Sequence, residues 1–565
     1  MADSTFSALK RNDFKNRLAT ENYDVLIIGG GITGAGAALD ATTRGLKTAM
    51  VEMKDFGWGT SSRSTKLIHG GLRYLKQFEI QLVREVGMER AVVHRNARHV
   101  VIAEKMILPI VEGGSLSKMM SSIALKVYDF LAGVESDERR VMLSKEETED
   151  AEPLVRKDIL KGGGLYYEYR SDDARLTIEN TKTAVANGAD CLNYIEVTGY
   201  IYENGKVVGV TAKDHISGDD FKIKAKKVIN ATGPWVDKLR EKDTDKVSGK
   251  RLHLTKGVHL VVPREKLPVK QAVYFDVLED GRMMFAIPRG RVTYIGTSDT
   301  NYEKDAKIER PITEASDVTY ILKAVNYMFP SVNLEPNDVI STWAGLRPLI
   351  HEDGKDPSEL SRKDEVFYSK TGLVSIAGGK LTGYRKMAER IIDVVLKQLK
   401  SEKPNEYNDI KKCQTATLQL MGGQFESQQA VEKFIVQRGG EVSQIGLKQS
   451  HVIDLVEKYG TETDKIIEKA FELYGRIKDA EKRLHVAELW YVINYEMTNN
   501  LDDYLIRRSG RLYFERDTLA QWYPFIADEM GKILDWSESD KYRYLADFKN
   551  EYEEVVAFKK EMSLV

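Results

Sequence analysis

Three kinds of residue stand where they could do redox and acid–base work: glycines that open helices, cations on glycine-flanked turns, and a histidine inside an apolar strand. Gly29-Gly30-Gly31-Ile32-Thr33-Gly34 has the spacing G-x-G-x-x-G, directly after the apolar run from Tyr23 to Ile28. Those glycines permit a tight turn, close backbone approach to a pyrophosphate, and close helix–strand packing, and the helix N-terminus then faces the anion. Glu52 ends the next apolar run, where a carboxylate can bond adenosine ribose hydroxyls. Two further glycine turns follow, in VINATGPW around Gly233 and in Ala377-Gly378-Gly379-Lys380-Leu381-Thr382. The first fingerprint alone does not separate a flavin from a nicotinamide dinucleotide. A use for all three turns on one long ligand favours the flavin.

The segment from Thr60 to Leu75, TSSRSTKLIHGGLRYL, mixes hydroxyls, glycines and the cations Arg63, Lys66 and Arg73, which suits a loop that cradles a cofactor. Arg347 is held in Gly345-Leu346-Arg347-Pro348. A phosphate dianion wants guanidinium forks, so Arg73 and Arg347 read equally as anion ligands and as surface or salt-bridge residues. His259, in the apolar run from Val258 to Val262, reads by itself as a buried, hydrogen-bonded core histidine, with a base poised near neutral pH as the alternative. Arg347 is the less natural base, because guanidinium keeps its proton.

The elements that must position these groups follow from the patterning. A chain of 565 residues is too long for one core, so two or three domains are expected. The order β-turn-α-β at the start predicts a doubly wound, Rossmann-like sheet, with further βα units around VINATGPW and Ala377–Thr382. Short strands without helices between them, around residues 258–296, predict an antiparallel β insert, and the charged stretch after about residue 405 predicts a helical C-terminal domain. Lys plus Arg total 84 against 86 Asp plus Glu, which gives no global reason to expect nucleic acid as a partner. Two cysteines, Cys191 and Cys413, without a Cys/His cluster support neither a metal centre nor dithiol chemistry, and they fit a reducing compartment. A signal peptide and a spanning helix are not expected, so membrane contact would be peripheral. Leu116, Met119, Met120, Ile123, Val127, Phe130 and Leu131 recur at helical spacing, as an interfacial helix or an ordinary core face.

Many ordered motifs carry a family resemblance: DVLIIGGGITGAG, TSSRSTKLIHGGLRYL, DDARL, NATGPWV, KGVHLVVP, IGTSD, GLRPL and GGKLTGYRKMAE. The chain resembles the FAD-dependent glycerol-3-phosphate dehydrogenases of the amino-acid oxidase fold group. The resemblance implies a discontinuous FAD-binding domain (23–115, 165–250 and 340–400), a β-sheet substrate cap (116–164 and 251–339) and a helical C-terminal domain (405–565). It implies substrate contacts from Arg73, Tyr74, His259, Arg347, Lys380 and Thr382, with His259 the leading base and Arg347 holding phosphate or the developing alkoxide. It places FAD against Gly29, Gly31, Ile32, Thr33, Gly34, Glu52, Thr60, Ser61, Ser62, Lys66, Leu67, His69, Val197, Thr232, Gly233, Trp235, Gly379, Lys380, Leu381 and Thr382. His351, two positions beyond GLRPL, is read as a surface residue. The implied reaction is oxidation of glycerol 3-phosphate to dihydroxyacetone phosphate, with electrons passed to a membrane quinone. The implied setting is the cytoplasmic face of the cell membrane, with a homodimer as the expected assembly. Oxidase relatives deliver electrons to oxygen and form hydrogen peroxide; the short span between Leu349 and Val374 leaves little room for their insertion. A flavin-binding protein without turnover is the third reading, and the joint presence of Arg73, His259, Arg347 and Lys380 speaks against it.

Overall fold

In the computed structural model, the described residues are 6–70, 80–114, 140–244, 247, 249–303, 307–352 and 364–563. Arg73, Tyr74 and the apolar stripe from Leu116 to Leu131 lie outside them.

Two sheets organise the molecule. The first has eight strands, and its central strands run parallel in the order Val374–Ala377, Asp220–Asn230, Asn22–Ile28, Thr48–Val51 and Asp190–Leu192. Parallel strands need crossovers, and burial on both faces explains their unbroken apolar character. Leu26 and Ile27 are completely buried. The helix Ile32–Arg44 returns the chain from Asn22–Ile28 to Thr48–Val51 and ends on Gly45, whose φ of 103° is left-handed. Its small residues let another helix close in: a β-carbon at Gly36 would stand 3.0 Å from the ring of Tyr384, at the start of the helix Tyr384–Glu402.

The second sheet has ten strands and is mostly antiparallel. Its longest member, Lys250–Pro263, pairs along one edge with Ser341–Glu352 and along the other with Val292–Gly296. One face buries Val258, Leu260, Val262 and Ala344 against the helix Ala315–Met328. The opposite face carries the site described below. Strands Val101–Val111 and Ser341–Glu352, which the sequence division grouped with the nucleotide-binding segments, pair in this second sheet. Their partners lie far off in sequence, and local pattern does not reveal which sheet an apolar strand joins.

The helices after Pro404 pack into a third body, with Leu455, Tyr459, Ala487, Tyr491, Leu505 and Leu512 in its core. Its charges are not only a solvated face. Glu496 accepts Arg175 Nη1 at 2.6 Å and Lys182 Nζ at 3.0 Å, and all three side chains are buried. Those cations come from the helix Asp173–Ala186, which is buried from Asp173 to Val185 and packs chiefly on the helix Ile32–Arg44. The N-terminal segment forms the helix Arg11–Thr20, which buries Phe14 and Leu18 and anchors Arg11 on Asp214 at 2.8 Å. Among the described residues no helix is long and apolar enough to cross a membrane.

Candidate active site

A continuous cavity of about 420 Å³ runs from the C-terminal edge of the first sheet to the open face of the second. Gly29, Gly31, Ile32 and Thr33 line it at one side, where the helix Ile32–Arg44 begins on Gly31 and so has no capping side chain. Such an N-terminus, with its partial positive charge, suits a phosphate. Gly34 is not in the lining. Its role is close packing, since a β-carbon there would fall 1.8 Å from the carbonyl oxygen of Gly29. Gly29 itself has φ +109°, and a β-carbon on it would meet Ala231 O at 2.6 Å.

Glu52 lines the cavity and also stiffens it. One carboxylate oxygen accepts the N–H of Gly30 at 2.7 Å and the other that of Lys54 at 2.9 Å. Burial raises its pKa, and the two backbone donors act against that rise. Val197, Thr232, Gly233 and Trp235 line the same region, where the ring of Trp235 lies 5.9 Å from that of Trp58.

The hydroxyl-rich loop splits into two groups. Thr60, Ser61, Leu67 and His69 line the cavity, and Ser61 Oγ accepts the N–H of Ile32 at 3.0 Å. Ser62 and Lys66 are not in the lining. Ser62 is buried, and the Lys66 ammonium binds Asp173 at 2.5 Å and Ser62 O at 3.2 Å. The lysine's backbone is left-handed at φ 56°, so its side chain leaves the cavity wall while its neighbours Thr65 and Leu67 stay in it.

The third glycine turn meets this loop. Gly379, Lys380, Leu381 and Thr382 line the cavity ahead of the helix Tyr384–Glu402. Thr382 Oγ1 accepts the N–H of His69 at 3.0 Å and donates to its carbonyl at 3.0 Å, so this hydroxyl ties the two loops together.

Across the cavity, the second sheet supplies His259 and Arg347. His259 pairs with Trp343, Gly257 with Gly345, and Thr255 with Arg347. Because side chains alternate along a strand, all six residues share one face. The paired glycines leave a notch in that face. The guanidinium of Arg347 fills part of it: a β-carbon at Gly257 would stand 2.3 Å from Nη2. The carbonyl of Arg63 fills another part, 2.4 Å from where a Gly345 β-carbon would be. On the other neighbouring strand, a β-carbon at Gly296 would strike the His259 ring at 2.1 Å from Cδ2. Three bare positions therefore make room for one imidazole and one guanidinium. Arg347 donates to Asp299 at 3.0 Å and to Thr297 Oγ1 at 2.9 Å, which fixes the fork's orientation.

His259 is buried, with Nε2 3.0 Å from Thr65 Oγ1, and Nδ1 has no hydrogen-bond partner among the described residues. Burial, with the positive charges of Arg347 and Lys66, holds its pKa well below the usual histidine range, so the ring is neutral. Sequence reasoning placed His259 and Arg347 at the site and missed Thr65, Trp343 and the glycine notch. Arg63, Trp58, Tyr274 and Phe285 also line the cavity. Arg63 was visible as a cation in the loop, whereas Tyr274 and Phe285 gave no signal beyond strand character. His351 is half-buried in the strand Ser341–Glu352 and is not in the lining.

The three helix-opening turns and the bare glycines fit a dinucleotide, and the cavity they line extends to His259. The comparisons with known proteins agree. Residues 24–385 match the family described as FAD dependent oxidoreductase, and residues 413–541 match the C-terminal domain of alpha-glycerophosphate oxidase. The chain is 49% identical over 545 residues to the aerobic glycerol-3-phosphate dehydrogenase of Bacillus subtilis (strain 168), covering 96% of this chain and 97% of that one. It is 47% identical over 556 residues to the protein of the same name from Staphylococcus aureus (strain MRSA252), covering 98% of each. The glycerol-3-phosphate dehydrogenase structure from Bacillus halodurans, complexed with FAD, superposes with a TM-score of 0.82 at 44% identity, covering 98% of both chains. The chain belongs to the FAD-dependent oxidoreductase family.

Proposed function

We propose that the chain oxidises sn-glycerol 3-phosphate at C2 to dihydroxyacetone phosphate with FAD, and that the electrons pass to a membrane quinone. The observation that carries this reading is the single cavity that joins the anion-binding helix starts to the face bearing His259 and Arg347. The near full-length likeness to aerobic glycerol-3-phosphate dehydrogenases supports the choice of substrate. When bound, FAD supplies the acceptor for the C2 hydride.

The chain's own residues do the remainder. Arg347 holds the phosphate dianion or the developing alkoxide, with Lys380 as a second cation lining the same cavity. Arg73 and Tyr74 are assigned to the same anion by the family resemblance. Nε2 of the neutral His259 takes the hydroxyl proton, with the Thr65 hydroxyl beside it. A dianion on Arg347 offsets one of the charges that depress His259, so the imidazole becomes a better base when substrate is present. Gly29, Gly31, Thr33, Glu52, Thr232 and Gly379 hold the dinucleotide. Delivery to quinone places the protein at the cytoplasmic face of the cell membrane as a peripheral protein.

Oxygen as acceptor is the second reading, supported by the match of residues 413–541 to an oxidase's C-terminal domain. One experiment tests cofactor, substrate and acceptor. Anaerobic glycerol 3-phosphate is expected to bleach the bound flavin, and a quinone analogue is expected to restore it faster than air. Peroxide formed in stoichiometry with substrate would assign the oxidase, and an unbleached flavin would end the proposal.

A further inference from the structure

The C-terminal helices reach one end of the cavity through buried charge. The turn Asp503–Arg508 is wound wider than an α-helix, as a π-helix. It sends two arginines to Asp55: Arg507 Nε lies 2.5 Å from Oδ2, and Arg508 Nη1 bonds the same oxygen. The other oxygen of Asp55 accepts Asn193 Nδ2 at 2.9 Å. Arg507 also donates to Asp503 Oδ1 at 2.8 Å, and that oxygen accepts the hydroxyl of Tyr194 at 2.5 Å. Asp55, Asp503 and Arg508 are completely buried.

This cluster grips two segments of the cavity wall. Asp55 lies between Glu52 and Trp58, both in the lining, and its carbonyl accepts the N–H of Trp58 at 3.0 Å. Tyr194 directly precedes the lining residues Ile195, Glu196 and Val197, and its N–H donates to Lys54 O at 2.8 Å. Both segments belong to the Glu52 end. None of Arg507, Arg508, Asp503 and Asp55 lines the cavity itself. Fully desolvated ion pairs are a weak way to add stability compared with apolar packing.

We propose that Arg507 and Arg508 are positioning residues for the cofactor: through Asp55 and the Asp503–Tyr194 contact they hold the 52–58 and 193–197 segments against its adenosine end. The C-terminal unit thereby sets how firmly FAD is retained, without touching it. The inference rests on reading Glu52 as the ribose partner.

The test is Arg507→Met in the full-length holoenzyme, which leaves Arg508 on Asp55. FAD release, followed by flavin fluorescence, is expected to quicken about ten-fold or more. In holoenzyme diluted below saturation, ADP is expected to compete with FAD rebinding about ten-fold less well, while competition by FMN stays unchanged. FAD-saturated kcat and the KM for glycerol 3-phosphate should also stay unchanged, and Arg507→Lys should recover part of the retention. Unchanged release and ADP competition, or equal weakening of ADP and FMN, would overturn the proposal. Should Arg507→Met fail to fold, Tyr194→Phe tests the same contact, and wild-type release and ADP competition in that variant would overturn it too. These readouts need no turnover, so they stand apart from any failure of the assigned reaction.

Discussion

The imidazole of His259 lies flat on the indole of Trp343, with centroids 4.9 Å apart and planes 12° from parallel, because the two residues face each other on paired strands. That stack and the Thr65 contact hold the ring while leaving it neutral. His259→Asn is therefore expected to keep FAD and the fold. Reduction of the flavin by glycerol 3-phosphate should slow about 10²- to 10⁴-fold, the usual contribution of a positioned base. Stopped-flow reduction at full rate across pH would remove His259 from the chemistry.

Gly257→Ala tests the notch. The new methyl meets only side-chain atoms, the Arg347 guanidinium with Nη2 at 2.3 Å and Thr297 Oγ1 at 2.7 Å, so the guanidinium should be pushed aside without moving the strand. The expected result is a rise in KM for glycerol 3-phosphate of about ten-fold or more with a nearly unchanged melting temperature. Arg347→Met should give a larger effect in the same direction. A wild-type KM in both variants would place the phosphate elsewhere.

Gly34→Ala should behave differently, because its β-carbon meets backbone at 1.8 Å. Neither the helix start nor the Gly29 turn can yield cheaply, and overpacking of this kind costs about 1–3 kcal/mol or more. The purified protein is expected to be colourless or to lose FAD on gel filtration. A yellow, fully loaded variant would show that this helix packs less tightly than described.

Acid sensitivity follows from buried, neutral histidines. Burial is the largest cause that lowers His485 to about 3 and His94 to about 4. Below the unfolded value of about 6.5, the unfolded chain takes up protons that these rings refuse, so stability falls as pH drops through that value. The loss continues until the folded pKa is reached, at about 1.4 kcal/mol per pH unit for each ring. His485→Leu should therefore lose less stability than wild type between pH 6.5 and 5, measured by urea unfolding. Parallel curves would show that His485 is protonated in the folded protein.

What the sequence disclosed was local chemistry. The turns at Gly29–Gly34 and Gly378–Thr382 were legible because strand, glycine turn and helix start are contiguous. The side-chain partner of Lys66 was not legible, because Asp173 is 107 residues further on. The glycines at 257, 296 and 345 were visible, but only strand register shows that they surround His259 and Arg347. The buried pairing of Glu496 with Arg175 and Lys182 was not legible, since composition does not show which carboxylate meets which cation. In the N-terminal segment, Phe14 and Leu18 stood at helical spacing, a signal present and not used.

The pairing of Lys250–Pro263 with Ser341–Glu352 has one more consequence. His259 and Arg347, the proposed proton acceptor and anion anchor, hang from one ladder with the Gly257–Gly345 pair between them, so the span between them behaves as a ruler cut by the backbone itself. A slip of one residue in either strand would turn that strand's group to the opposite face and part the two. Adapting this scaffold to a longer or shorter phosphate ester would therefore require reshaping the loops at the cavity's rim, since no single replacement can lengthen that ruler.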